Sequence, residues 1–132
     1  MKYKLTDETI TTANGIRLYR IQAVKDIPCF KIKAGDLGGY VQDEHNLAQN
    51  NNAWVFENAW VYENARVYEN AQVFGNARVY GYVQVFGNAR VFGNAQLAGN
   101  VQLAGYVQLT GNIRVFGDIE TYNSVINSTD LR

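Results

Sequence analysis

The side chains that could carry chemistry are few and far apart. His45 is the single histidine, with Asp43 and Glu44 beside it, and a histidine among carboxylates is the usual material of a general base. Polarity at a turn accounts for Asp43 and Glu44 equally well. One histidine cannot build a three-histidine metal site, so neither a metal nor a cofactor is expected. Cys29 is the only cysteine, which excludes an intramolecular disulfide and reads as a small buried thiol rather than a redox group. The run Gly35-Asp36-Leu37-Gly38-Gly39 fits neither the dinucleotide-binding nor the P-loop spacing and precedes no helix, so it reads as a tight turn. No residue is assigned to catalysis, and a non-enzymatic chain is expected.

Aromatic residues are the richer signal. Trp54 and Trp60 stand close to Glu57, Glu63 and Glu69. Two readings stay open for the tryptophans: they lie beneath the N-terminal segment, or they form an acid-rimmed hot spot for a protein partner. Tyr82 and Tyr106 occupy positions where asparagine is the rule, and both are expected to project into solvent. These seven residues are the candidate partner-binding set.

What positions them is a repeat. From residue 53 the chain reads AWVFEN, AWVYEN, ARVYEN, AQVFGN and onward, and the same frame read in both directions gives fifteen hexads over 41–130 without an insertion. Strand alternation sets the faces. The first position (Ala53, Ala59, Val83, Val101) and the third (Val55, Val61, Leu97, Leu103) must point inward. The second, Arg, Gln or Trp, and the fourth, mostly Phe or Tyr, point outward. Gly-Asn at the fifth and sixth suits a corner. Three hexads close a triangular coil of eighteen residues, and fifteen make about five coils spaced ~4.8 Å apart. Outward rings eighteen residues apart, such as Phe56, Phe74 and Phe92, should form ladders. In 95–112 the ring positions fall to Ala98, Ala104 and Thr110, a slimmer waist.

Ahead of the repeat, Thr9–Val24 reads as a hairpin turning at Ala13-Asn14-Gly15, since Asn-Gly between β-prone runs is a strong hairpin signal. A solenoid needs its open end covered, so residues 1–40 are read as a β-hairpin cap and 41–132 as the coil. At the other end Ile126 falls in an outward slot and Leu131 lies near the terminus. An uncapped last coil would template another chain, which predicts a homodimer with Ile126 and Leu131 at its interface.

Twelve basic and twelve acidic residues cancel, and the pI is about 6.6. That argues against direct nucleic-acid binding through counterion release. The N-terminus has no apolar run, so no membrane segment is expected, and a cytoplasmic setting follows for a chain with one thiol.

Val-Phe-Gly-Asn-Ala and Val-Tyr-Glu-Asn-Ala resemble the hexapeptide-repeat family, whose unit is an aliphatic residue followed by Gly-Asp-Asn and a small residue. The resemblance implies an all-β fold, a left-handed parallel β-helix. It also implies an acyltransferase alternative, since many members are trimeric acyltransferases with a histidine base in a cleft, for which His45 is the one candidate. Lys2-Tyr3-Lys4-Leu5, the hairpin and Lys33–Gly39 together are similar to small bacterial and prophage-borne members. That likeness implies a phage-encoded inhibitor of a bacterial defence or nucleic-acid enzyme, of anti-CRISPR type, acting by protein–protein contact. A structural self-assembling rod is the third reading.

Overall fold

The computed structural model describes residues 1–122 and 125–126. Two long strands come first, β1 (Tyr3–Thr11) and β2 (Arg17–Ala23), then β3 (Leu37–Val41). The rungs follow: β4 (Trp54–Val55), β5 (Trp60–Val61), β6 (Arg66–Val67), β7 (Gln72–Val73), β8 (Arg78–Val79), β9 (Gln84–Val85) and β10 (Arg90–Val91). The last elements are β11 (Gln96–Ala104), β12 (Gln108–Leu109), β13 (Arg114–Tyr122) and β14 (Val125–Ile126). Among the described residues the only helical turns are two 3₁₀ segments, Pro28–Phe30 and Glu44–Asn46.

The rungs stack in parallel into three faces. The first holds β3, β5, β8 and the opening halves of β11 and β13. The second holds Leu47, β6, β9 and the closing halves of β11 and β13. The third runs β4, β7, β10, β12 and β14. The result is a parallel β-solenoid of about four turns, where the hexad count predicts five.

Alternation works as the hexad demands. Ala53, Val55, Ala59, Val61, Ala65 and Val67 are fully buried, and the same two positions stay inside down to Ile113 and Val115. A single apolar cluster runs from Tyr3 and Ile21 through the coil. Burying each Val or Leu contributes roughly 1.5–3 kcal/mol, so the interior column is the main source of stability. Outside, Phe74 and Phe92 stack at 4.6 Å, Tyr68 and Phe86 at 4.8 Å, and Tyr62 and Tyr80 at 5.0 Å. These rings are half-buried.

Register departs from the uninterrupted frame at both ends. Val41 pairs with Val61 and Leu47 with Val67, each twenty residues away, whereas Trp54 pairs with Gln72 eighteen away. Two extra residues therefore sit between Leu47 and Val55, in a turn where Asn51 takes φ +60°. The expectation of hexads from 41 without an insertion is wrong there, and Val41 and Leu47 hold third positions rather than first. At the far end Gln108 pairs with Val125 and Leu109 with Ile126, seventeen apart. The backbone of Ile126 is thus paired with that of Leu109. Its side chain and Leu131, the expected dimer contacts, lie outside the described residues.

The hairpin turns at 12–16, with Thr12 N–H donating to the Ile16 carbonyl at 2.8 Å. It is longer than the sequence suggests, pairing from Tyr3 and Ala23 with a bulge between Leu5 and Thr9. β2 pairs antiparallel with β3, and β3 runs parallel to β5. The cap therefore extends the first face as one continuous sheet. Gly38 and Gly39 belong to β3, and only Gly35, at φ +97°, makes a turn. A Cβ on Gly38 would lie 2.6 Å from the Val55 carbonyl oxygen, and one on Gly39 2.6 Å from that of Ala59. The glycines let the cap lie flat on the first coil.

Candidate functional site

Trp54 is 1% exposed, the floor of the cap. Tyr3 meets it edge-on at 6.2 Å, and Lys2 reaches over to donate from Nζ to the Ala53 carbonyl at 2.6 Å. Burial, then the charge of Lys25, pushes the Lys2 ammonium down to about 8. Burial also holds the Tyr3 phenol well above its ordinary value. Of the two readings of Trp54, the covered one holds, because an indole so enclosed offers nothing to a partner.

Trp60 stands differently. It is half-exposed on the first face, with the Arg78 guanidinium 4.2 Å above its ring and Tyr62 edge-on at 6.3 Å. Tyr62 stacks on Tyr80 with rings 13° from parallel. Burial, then the neighbouring Tyr80, pushes the Tyr62 phenol up to about 12. The same rung ends at Tyr82, 62% exposed where the preceding coil has Asn64. Trp60, Tyr62, Arg78, Tyr80 and Tyr82 thus form one aromatic and cationic patch.

The glutamates have backbone tasks. Glu57, Glu63 and Glu69 occupy the left-handed corner position, at φ +57°, +57° and +59°, that glycine fills in later coils. The Glu57 carboxylate accepts from Gly75 N–H at 3.3 Å, and that of Glu63 from Gly81 N–H at 3.0 Å. They clasp one coil to the next. The seven candidates are therefore divided: Trp60, Glu63 and Tyr82 border the patch, while Trp54 lies under the cap. Tyr106, 70% exposed, stands at the corner between the second and third faces. At the waist Ala98 is half-buried and Ala104 is only 4% exposed.

His45 lies in the turn preceding Leu47. Its Nε2 sits 2.6 Å from the Glu63 carbonyl oxygen, and its Nδ1 faces the Asp43 carboxylate at 3.7 Å. Both ring nitrogens point at acceptors, which fixes the ring against the coil. The neighbouring Asn46, fully buried, donates to the Ala65 and Glu63 carbonyls. Cys29 is exposed, contrary to a buried thiol, and none of the residues of its Pro28–Phe30 turn is buried. Among the described residues no group of three His, Cys, Asp or Glu side chains could hold a metal ion, and no helix is long and apolar enough to cross a membrane.

With this geometry in view, similarity to known proteins is narrow. Residues 71–85 and 83–99 match the YdcK β-solenoid repeat. Among curated proteins none matches the chain. The repeat match falls on the most regular turns and supports the solenoid, not an activity.

Sequence reasoning missed the Trp60–Arg78 pair and its continuity with Tyr62, Tyr80 and Tyr82. The signal was available: Trp60 and Arg78 are both second-position residues eighteen apart. It also missed Arg20, which donates to Glu8 at 2.8 Å and to the Tyr40 hydroxyl at 2.6 Å and so rivets the cap to the first face. No repeat reports a contact between two unlike segments.

Proposed function

We propose that this chain is a non-catalytic, protein-binding β-solenoid whose contact surface is the first-face patch around Trp60, Arg78 and Tyr82. The observation that carries the reading is Tyr82, 62% exposed at the corner that ends the rung of Arg78, whose guanidinium lies over Trp60. Tryptophan, tyrosine and arginine are the residues that dominate binding energy at protein interfaces. Here their neighbours are already stacked, so little side-chain freedom is left to lose on docking. The corner itself needs only asparagine, as at Asn64 and Asn88.

Two finer statements rest on the sequence resemblance. The hexad pattern supports a left-handed coil. The likeness to prophage-borne chains supports an inhibitor of a bacterial defence or nucleic-acid enzyme that acts by contact. Such a partner would recognise rings and one guanidinium rather than a phosphate-like charge array, since the net charge is zero.

The test is affinity capture from a bacterial lysate with the wild-type chain, followed by titration of the captured protein against Tyr82→Asn and Arg78→Ala. Either substitution should weaken binding by at least about tenfold, equivalent to roughly 1.4 kcal/mol, with melting nearly unchanged for Tyr82→Asn. Equal affinities for all three chains contradict the reading.

A further inference from the structure

The third face carries a recess that the protein-binding reading does not use. It has a volume of about 470 Å³, with Phe30 at one end and Tyr106 at the other. Between them stand Gln72, Asn88, Arg90 and Gln108. None of these four side chains makes a hydrogen bond or ion pair among the described residues. By contrast, the corner column Asn76–Asn94–Asn112 is bonded from rung to rung. In the groove's own corner column Asn52 donates to Asn70 at 3.3 Å, and Tyr106 stands where an asparagine would follow Asn88.

We propose that this groove binds a short acidic oligosaccharide, two or three sugars long, with a carboxylate on Arg90. Each carboxamide offers two donors and one acceptor, and sugar hydroxyls are likewise both donors and acceptors. Phe30 and Tyr106 place an aromatic residue at each end, the side-chain type that packs on the C–H faces of pyranose rings. The volume lies within the range of small-ligand sites, roughly 300–1,000 Å³. Arg90 is the one charge among these six residues and can pair with one carboxylate of such a sugar, leaving any other in solvent; nucleic acid would need several cations in line.

Spacing separates a sugar from a peptide. The polar column Gln72–Arg90–Gln108 advances one rung, ~4.8 Å, per residue, whereas like-facing side chains of an extended peptide recur every ~6.6 Å. A peptide along the groove loses register after one rung, while a pyranose chain advances by about one rung per ring. Cys29 on the lip supplies a built-in reporter, since an occupied groove shields its thiol.

The experiment is a titration of the full chain, followed by amide NMR and by the alkylation rate of Cys29. The probes are digalacturonate, N,N′-diacetylchitobiose and triglutamate. Digalacturonate should shift the side-chain amide signals of Gln72 and Gln108 saturably, with a Kd near or below about 1 mM, and slow alkylation. Arg90→Gln should weaken it by about tenfold with melting unchanged, and Tyr106→Asn should weaken it as well. Neutral chitobiose should bind at least about fivefold more weakly than digalacturonate, and triglutamate not at all. Absence of saturable shifts with digalacturonate at millimolar concentration overturns the proposal. So does triglutamate or chitobiose binding as tightly, or an Arg90→Gln chain binding unchanged.

Discussion

Replacing Trp54 and Trp60 separately with Ala distinguishes a cap residue from a surface residue at the same hexad position. Trp54 is enclosed between Tyr3, Lys2 and the first coil. Truncating a fully buried tryptophan costs about 3–5 kcal/mol, transfer and cavity together. Trp60 keeps one side in solvent, and its loss removes a cation–π contact and an edge-on ring pair. Those are worth about 0.5–1 kcal/mol each, so the total is about 1–2 kcal/mol. In a chain of this size 1 kcal/mol shifts Tm by roughly 4 °C. Trp54→Ala should therefore lower Tm by about 12–20 °C and Trp60→Ala by about 4–8 °C, followed by far-ultraviolet circular dichroism. The cap contacts the coil mainly through its first turn, so Trp54→Ala should also separate an early transition from the main one. Equal losses, or a larger loss for Trp60→Ala, would refute the assignment of Trp54 to the cap.

Three further outcomes follow from the same geometry. The folded chain binds the Lys2 proton less tightly than the unfolded chain, with a pKa of about 8 against 10.5. Stability should therefore rise as pH increases from about 8, then fall beyond about 10 as the raised phenols of Tyr62 and Tyr3 resist ionisation. Melting scans should show a maximum near pH 10, and Lys2→Met should remove the rising limb. Gly99→Ala should cost at least about 2 kcal/mol, since its Cβ would lie 2.5 Å from Gly117 N, while Gly15→Ala, equally left-handed but open, should cost only about 1 kcal/mol. Urea midpoints that are equal for the two would contradict this. Glu69→Gly should stabilise by about 0.5–1 kcal/mol, because its φ of +59° suits glycine and its carboxylate makes no hydrogen bond among the described residues. Glu63→Gly should be nearly neutral in the same melts, since it forfeits the Gly81 bond.

The solenoid was legible because a six-residue period forces first and third positions inside wherever it holds, and Ala53 to Val115 obey it. Reading stopped where unlike segments meet. Residues 41–52 imitate hexads in composition, but Val41 and Leu47 take their register from Val61 and Val67, which displaces the frame by two. Gly38 and Gly39 look like a loop in sequence; their reason is the carbonyls of Val55 and Ala59 lying beneath them. Trp54 and Trp60 are equivalent by pattern and opposite in burial, because only one has Tyr3 above it. Tyr82 and Tyr106 were found as breaks in the repeat, and the sequence could not say that they border different faces.

The central claim is that the first face meets a protein partner. The most direct test places a photoreactive phenylalanine analogue singly at positions 80, 82, 86 and 92, then irradiates the chain with its captured partner. Positions 80 and 82 should give strong adducts, with 86 on the second face and 92 on the third giving little. Adducts concentrated at 86 or 92, with none at 80 or 82, would contradict the account.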